Sequence, residues 1–373
     1  MRYLHFLLLV LLASTAYSRT IYVGQFETYT RIEDAVEAAT PGSKIIVMPH
    51  PNGEPYKEVK LVIDKPYLII QAANPNQPIV LDGAGVNYSG AGSTPRAIVQ
   101  FNYEGSGSTL DGFVLRNAHN DTHNAAGVRI SQACSVTITR CVIHDNDMGI
   151  MSDGVFVPQR ANPTPPPDIN TSDKKTQILY TLPGPICSKQ LITYCRITDN
   201  GAEEEPGYNH NLYLGGDSVT IQYSEIARAK TGHNIKCRVR RVTISNCSIH
   251  DAANREMDFV DSKGFTEGPG IAEIVNCSIK IDPLCKGNRS CIHFGKDGDY
   301  PHPGLLILKN NFIETPFSSS VIEMTDGNGV ILNDNVFSDA GSGAPATLVK
   351  KHGKRNVQQS GNKIPEKWKI ENE

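Results

Sequence analysis

Two basic residues in the middle of the chain have the types and the spacing for acid–base chemistry on an anionic substrate. Lys236 and Arg238 lie two positions apart in a stretch that alternates apolar and polar residues, so in a β-strand both side chains point to one face. We expect repulsion from Arg238 to lower the pKa of Lys236, which suits Lys236 to act as a general base while Arg238 binds a carboxylate. The alternative is that both cations only pair with Glu256 and Asp258 on the neighbouring strand.

Three residues near this pair are candidates for the proton donor. His210 and His233 precede matching strands, and a histidine titrates near neutral pH. Tyr213 falls on the same strand face as Lys236 and could donate a proton or stack on a sugar ring. The alternative for both histidines is a buried place at a corner of the fold, where the rings bond only to backbone.

Further polar residues occupy equivalent positions in neighbouring segments and should extend the same surface. The candidates for substrate binding are Asn211, Asn234, Arg129, His293 and Glu323. Because alternate residues of a strand share a face, we expect these side chains to point outward beside Lys236. A strand face that combines both signs of charge with an aromatic residue favours a binding site over an ordinary solvated sheet surface.

Acidic residues in the same region raise two other possibilities. Glu256, Asp258 and Asp261 could hold Ca²⁺, which prefers several oxygen ligands, although their spacing matches no defined calcium motif. Glu256 and Asp258, or Asp258 and Glu323, could instead flank a glycosidic bond as the two carboxylates of a glycoside hydrolase. The sequence leaves both possibilities open.

A repeated unit must position these residues. Between 209 and 279 a short strand, a turn and a second alternating strand occur three times, which is typical of a solenoid whose coils stack about 4.8 Å apart. One position recurs in matched strands while the loops between them vary in length, and it predicts a column of stacked side chains in which asparagines bond along the stack. The column consists of Cys141, Cys195, Ser224, Cys247, Cys277, Asn311 and Asn335.

The first eighty residues of the mature chain resemble the N-terminal region of a known family. The segments that carry the likeness are the strand 20–23, the Asp-Ala-Val-x-Ala-Ala helix at 31–39, Pro41-Gly42, the strand 44–48, residues 65–71 and Leu81-Asp82-Gly83. Their order resembles that of right-handed parallel β-helix proteins of the pectate-lyase-like superfamily, in particular the alginate-lyase and chondroitinase-B-like polysaccharide lyases. The resemblance implies an all-β fold: a right-handed single-stranded parallel β-helix, or solenoid, with a short N-terminal capping helix.

The resemblance also implies a substrate class and a reaction. Enzymes of this kind bind acidic polysaccharides and mostly cleave them by β-elimination at a uronate residue. Lys236-Cys237-Arg238 is similar to the lysine-bearing strand of the alginate-lyase and chondroitinase-B group. The matching arginine one coil later is absent, because that strand reads Glu256-Met257-Asp258-Phe259.

The domain organisation follows from composition along the chain. Residues 1–18 have the charged, apolar and small-residue regions of a signal peptide, which predicts a secreted protein. We expect the β-helix domain over 19–345, with the cap helix at 31–39 and a Pro-rich loop insertion at 156–186, followed by a basic C-terminal tail at 346–373. A net charge of −3 gives no indication of nucleic-acid binding, and we expect a monomer without membrane contact.

Cysteines and glycosylation sequences fit a secretory protein. Nine cysteines leave at least one unpaired, and stacking would bring four pairs together, with Cys237 as the candidate free thiol. The pairs are Cys134 with Cys187, Cys141 with Cys195, Cys247 with Cys277 and Cys285 with Cys291. Stacked cysteines can equally be small apolar filler. Six Asn-x-Ser/Thr sequences are candidate glycosylation sites: Asn87, Asn120, Asn170, Asn246, Asn276 and Asn288.

Together these patterns predict a secreted enzyme that cleaves a uronate-containing acidic polysaccharide by β-elimination. In this hypothesis Lys236 is the base, Arg238 binds the carboxylate, and His210, His233 or Tyr213 is the acid. The alternatives are a glycoside hydrolase or C5-epimerase on the same fold, and a carbohydrate-binding or structural protein without catalysis.

Overall fold

The computed structural model describes residues 18–74, 76–77, 79–131, 134–152, 188–203, 207–260, 270–297 and 304–372. Its strands form stacked coils, and all the paired strands are parallel, with each strand bonded to the matching strands of the coils before and after it. The predicted signal peptide except Ser18, the predicted insertion at 156–186, Cys187, Asn170 and Asp261 lie outside the described residues.

The coils have three faces. The first face consists of β4 (Leu61–Ile63), β7 (Ala97–Phe101), β10 (Ala126–Ile130), β13 (Met148–Ser152), β16 (Leu212–Gln222), β18 (Ile235–Ser245), β20 (Met257–Val260), β23 (Ile292–Gly295), β26 (Ser320–Met324), β29 (Thr347–Lys351) and β31 (Lys369–Asn372). The third face consists of β3 (Tyr56–Lys57), β6 (Ile79–Asp82), β9 (Phe113–Arg116), β12 (Val142–His144), β15 (Arg196–Thr198), β17 (Glu225–Ala227), β19 (Ser248–His250), β22 (Ser278–Lys280), β25 (Phe312–Glu314) and β28 (Val336–Ser338).

The second face shares its two longest strands with the first. β16 and β18 each run for 11 residues and continue from the first face into the second without a break. The other strands of this face are β1 (Thr20–Val23), β2 (Lys44–Val47), β5 (Ile69–Ala72), β8 (Ser108–Asp111), β11 (Val136–Thr139), β14 (Lys189–Thr193), β21 (Gly270–Val275), β24 (Gly304–Lys309), β27 (Gly329–Asn333) and β30 (Asn356–Ser360). A single 3₁₀ turn among the described residues spans Tyr103–Gly105.

The core is the apolar interior of the coils. Alternate residues of each strand point inward, and on the first face Leu212, Ile235 and Met257 stack in register and are fully buried. Burying each such side chain contributes about 1.5–3 kcal/mol. The periodicity of the sequence therefore fixes which side chains remain outside.

A short helix covers the first coil, as predicted. The helix α1 spans Ile32–Ala38 and buries Ile32, Ala35 and Val36 against the strands below it. Without such a cap the open end of a solenoid would expose its apolar interior. No helix among the described residues is long and apolar enough to cross a membrane.

The C-terminal boundary predicted at residue 345 is too early. β29, β30 and β31 pair in parallel with earlier strands and add further coil segments to the solenoid. Leu348 and Val349 are buried, and Trp368 packs against Phe337 with ring centroids 6.2 Å apart. The basic residues of this segment hid its alternation, since Lys350 stands on the outer face in register with Glu323.

The corner between the second and third faces explains the column predicted from the repeats. The residue before each column position has a positive φ near 50°, as at Tyr194, Tyr223, Asn246 and Asn276. At the C-terminal end the predicted asparagine bonding is confirmed, because the Nδ2 of Asn311 donates to Asn335 and that of Asn335 donates to Asn362, both at 3.0 Å.

The cysteines of this corner are thiols. All eight cysteines among the described residues are buried and unpaired with one another, so three of the expected disulfides are not formed here. Cys195 lies 3.5 Å from the carbonyl of Ile138, and Cys247 lies 3.7 Å from that of Ile221. The alternative of small, buried filler describes them better.

Candidate active site

One outward-facing residue per coil forms a continuous column on the first face, as the alternation predicted. Parallel pairing without a register shift aligns these residues from β10 to β26. Their order along the solenoid is Arg129, Met151, Tyr213, Lys236, Asp258, His293 and Glu323. Residues spread over almost two hundred positions of the sequence thereby become neighbours.

Asp258 lies at the centre of the column and is almost fully buried. Its Oδ1 is 2.6 Å from His293 Nδ1, and its Oδ2 is 3.0 Å from Lys236 Nζ and 3.3 Å from His233 Nε2. Burial by itself raises the pKa of Asp258, but the His293 hydrogen bond and the nearby cations outweigh it and hold the pKa well below its usual range. Asp258 is therefore an ionised anchor for the groups around it.

Lys236 is a protonated cation, contrary to the expectation that it acts as a base. Its Nζ donates to Asp258 at 3.0 Å and to Asp297 at 2.8 Å. Burial lowers the pKa of Lys236, but the two carboxylates outweigh burial and raise the pKa above its ordinary value. The expected repulsion from Arg238 is overcome, and the alternative of ion pairing with Asp258 describes the site.

Arg238 contacts both the phenol of Tyr213, a member of the column, and the carboxylate of Asp297. Its Nε donates to the Tyr213 hydroxyl oxygen at 3.1 Å, and its Nη2 lies 2.6 Å from Asp297 Oδ2. The guanidinium carbon is also 5.9 Å from the centre of the Tyr213 ring. Since the phenolic oxygen accepts this hydrogen bond, its own O–H is directed elsewhere and is available as a donor.

Asp297 is a site residue that the sequence analysis missed. It follows β23, two coils beyond Lys236, and a single oxygen of its carboxylate accepts from both Lys236 and Arg238. Burial raises the pKa of Asp297, but the hydrogen bond and charge of Lys236 and the charge of Arg238 lower it overall. No local pattern marks Asp297, because its role depends on contacts across about sixty residues of chain.

His210 and His233 are buried corner histidines and not exposed acids. Their rings stack 5.0 Å apart. His210 Nδ1 accepts the backbone N–H of His233 at 3.0 Å, and His233 Nδ1 accepts the backbone N–H of Arg255 at 3.2 Å, in each case from the next coil. Burial lowers the pKa of His210 far below its usual value and that of His233 to about 4. Both rings are neutral at pH 7 and carry their proton on Nε2, so the assignment as acid falls to Tyr213.

Asn211 and Asn234 also differ from expectation, because both are fully buried. They belong to an amide ladder inside the corner between the third and first faces. Asn200 donates to Asn211 at 2.8 Å, Asn211 to Asn234 at 2.7 Å, and Asn234 to Glu256 at 2.5 Å. These asparagines hold the coils together and do not face a substrate.

Glu256 ends this ladder and is likewise removed from the surface. One carboxylate oxygen accepts from Asn234 and the other from the Ala252 N–H, and burial raises the pKa of Glu256 to about 8. Its oxygens, like those of Asp258, are used within the protein, which does not fit the Ca²⁺ or hydrolase role proposed for this pair. Within the described ranges no group of three His, Cys, Asp or Glu residues is arranged to hold a metal ion.

The outer members of the column lie on either side of this cluster. Glu323 accepts from Arg255 at 2.6 Å, and His293 contacts Thr325 through its second ring nitrogen at 2.8 Å. Arg129 lies two coils before Tyr213 and contacts Met151. The predicted substrate-binding residues Arg129, His293 and Glu323 therefore share the column, although Arg129 and His293 are largely buried.

Solved structures of carbohydrate enzymes are similar to this chain. DFA-IIIase from Arthrobacter chlorophenolicus A6 in complex with DFA-III matches with 11% identity and a TM-score of 0.53, covering 93% of this chain and 98% of that one. Pectate lyase Pel9A matches with 13% identity and a TM-score of 0.46, covering 94% and 80%. The A-module of mannuronan C-5 epimerase AlgE6 from Azotobacter vinelandii matches with 12% identity and a TM-score of 0.38, covering 89% and 93%.

These similarities concern the fold. No family model matches the sequence, and neither does any curated protein. The chain is a right-handed parallel β-helix, which confirms the fold predicted from the repeats and from the N-terminal resemblance.

Proposed function

We propose that this protein is a polysaccharide-active enzyme that cleaves a uronate-containing chain by β-elimination on the first face. One observation carries the proposal: Lys236 and Arg238 converge from the exposed face on a single carboxylate oxygen, that of Asp297. A uronate carboxylate has the same shape and charge as this Asp297 group. Two cations at that place would neutralise the uronate and make its C5 proton more acidic.

Tyr213 is the residue best placed to move the proton. In this proposal Tyr213 acts as the base in its phenolate form, with its oxygen held by the Arg238 Nε–H. The phenolate takes the C5 proton, the C5 electron pair forms the C4–C5 double bond, and the C4–O bond breaks. The leaving glycosidic oxygen then receives the proton from the Tyr213 hydroxyl, which restores the phenolate.

The buried residues act through these groups. Asp258 holds Lys236 in place, and His293 and His233 fix the orientation of the Asp258 carboxylate. Such support keeps reacting side chains within the small tolerances that catalysis requires. We therefore treat Asp258, His233 and His293 as positioning residues.

A glycoside hydrolase is a second candidate, with a pair of carboxylates that differs from both predicted pairs. Asp297 and Glu323 are the more exposed carboxylates of the cluster, with 39% and 21% of their side chains exposed, whereas Asp258 is buried. Hydrolysis would give products without a new double bond, so the two reactions are distinguished by their products.

The test is a screen of polyuronates with replacement of Tyr213. We expect wild-type protein to release unsaturated oligosaccharides that absorb in the near ultraviolet from at least one polymer. Y213F should lose about a thousandfold in kcat, within the range for a missing acid–base group, and should still bind the polymer. The matched control is Y223F, since Tyr223 is an exposed tyrosine at a distant corner.

Three results would contradict the lyase assignment: no polyuronate is cut, the products are saturated, or Y213F is as active as Y223F. Secretion is part of the same proposal and has its own test. Protein recovered from the medium of an expressing eukaryotic cell should begin at Arg19, which N-terminal sequencing would show.

A further inference from the structure

Asp297 occupies the place where the proposed function puts the substrate carboxylate. Its Oδ2 lies 2.8 Å from Lys236 Nζ and 2.6 Å from Arg238 Nη2, and it reaches both from two coils away. The Asp297 side chain is 39% exposed, whereas those of Lys236 and Arg238 are 13% and 26% exposed. The Asp297 carboxylate is therefore the most accessible of these three charged groups, and its side chain can move away without exposing the core.

The charge balance of this group determines which ligand can replace the Asp297 carboxylate. Lys236 and Arg238 contribute two positive charges, and Asp258 and Asp297 contribute two negative charges, so the group is neutral. When Asp297 withdraws, two largely buried cations share one anion, and an uncompensated charge in such surroundings is costly. A ligand that brings one carboxylate restores neutrality, whereas an uncharged sugar does not.

We infer that Asp297 is a specificity-determining residue, an internal carboxylate that only an anionic sugar residue can displace. The inference rests on the proposed function, since it concerns the same cations. It predicts selection against neutral and methyl-esterified residues, because these would have to break the Asp297 ion pairs without replacing them. Discrimination then comes from a competing group built into the protein and not only from attractive contacts.

Calorimetric binding of defined hexasaccharides tests this role. The probes are hexamers of galacturonate, mannuronate and guluronate and the methyl ester of whichever hexamer binds, and the proteins are wild type, D297N and R238A. We expect D297N to bind the free acid about tenfold more tightly, equivalent to about 1.4 kcal/mol. The methyl ester should bind wild type at least about tenfold more weakly than the acid does.

The matched control is D199N. Asp199 forms a comparable pair with Arg228 at 2.8 Å near the third face, away from the column, and its replacement should leave hexamer affinity unchanged. Binding by D297N should also fall more steeply with added salt, because the variant site carries one more net positive charge.

The outcomes separate the two hypotheses. If R238A loses affinity but D297N binds no tighter than wild type, the competitor role is wrong and the carboxylate site stands. If D297N loses kcat with unchanged affinity, Asp297 is a catalytic group and the inference is also overturned. If neither wild type nor D297N binds any hexauronate, the proposed function itself fails together with the inference.

Discussion

At the scale of single residues, two carboxylates determine the charge state of the column, because Asp258 and Asp297 both bind the Lys236 ammonium. Lys236, Asp258 and Glu323 were expected on one outward face, and they are on it. The charge state of Lys236 was misjudged, because it depends on Asp297, a partner two coils away that no local pattern marks. Asn211 was misplaced because it precedes its strand, where strict alternation has not yet begun.

Glu256 makes stability depend on pH. Its pKa is raised to about 8 in the folded protein, against about 4.3 in an unfolded chain. The folded state thus holds the proton more tightly, so the stabilisation is complete below about pH 4 and is lost as pH rises through 8. The loss at pH 9 is on the order of 5 kcal/mol.

The variant E256Q tests this dependence. Glutamine can still accept from the Ala252 N–H but cannot ionise, so E256Q should keep its denaturation midpoint between pH 6 and pH 9 while that of wild type falls. Urea unfolding at several pH values measures the difference. Equal slopes for the two proteins would show that Glu256 does not carry the effect.

At the scale of elements, the alternation of apolar residues was enough to identify the coils and the cap helix. Two features escaped it. β16 and β18 continue through a corner that other coils turn, and β29 and β31 carry lysines that resemble those of a solvated tail. Both failures have one cause, since corner geometry and pairing partners are set by the neighbouring coil and not by the strand itself.

Gly232 is an element-level requirement at the corner before β18. A Cβ there would lie 2.0 Å from the Asn209 carbonyl oxygen and 2.5 Å from His210 Nδ1. G232A should therefore separate the two coils and destabilise the protein by about 2 kcal/mol or more. It should also reduce activity, because the His210–His233 stack borders Asp258.

The control for this prediction is G341A. Gly341, unlike Gly232, has a positive φ, of 74°, and a Cβ there meets no atom within 4 Å, so only the backbone cost of about 1 kcal/mol applies. Thermal unfolding of both variants measures the comparison. An effect of G232A no larger than that of G341A would contradict the clash.

At the scale of the whole molecule, each coil is stabilised mainly by its two neighbours, as in other solenoids. The terminal coils therefore contribute more to stability than their small number of residues implies. Truncation after residue 345 would remove β29 to β31 and uncover Met324, Val330 and Phe337, which are now buried. If residues 346–373 were instead an exposed basic tail, as predicted from the sequence, the protein would tolerate this truncation.

We expect the truncated protein to aggregate or to lose several degrees in Tm. A matched deletion of residues 370–373 removes all but the first residue of β31 but keeps β29 and β30, so its effect should be milder. Size-exclusion chromatography and thermal scans measure both. Unchanged elution and Tm for the protein ending at 345 would restore the boundary predicted from the sequence.

Trp368 lies over the last coil against Phe337, and it is the only tryptophan of the 373 residues. The molecule thus carries a natural fluorophore at one end. Emission from this ring reports the fraying of the C-terminal coils, whereas circular dichroism averages over the whole stack. A shift in its emission that precedes the loss of dichroism would reveal that the solenoid unwinds from that end.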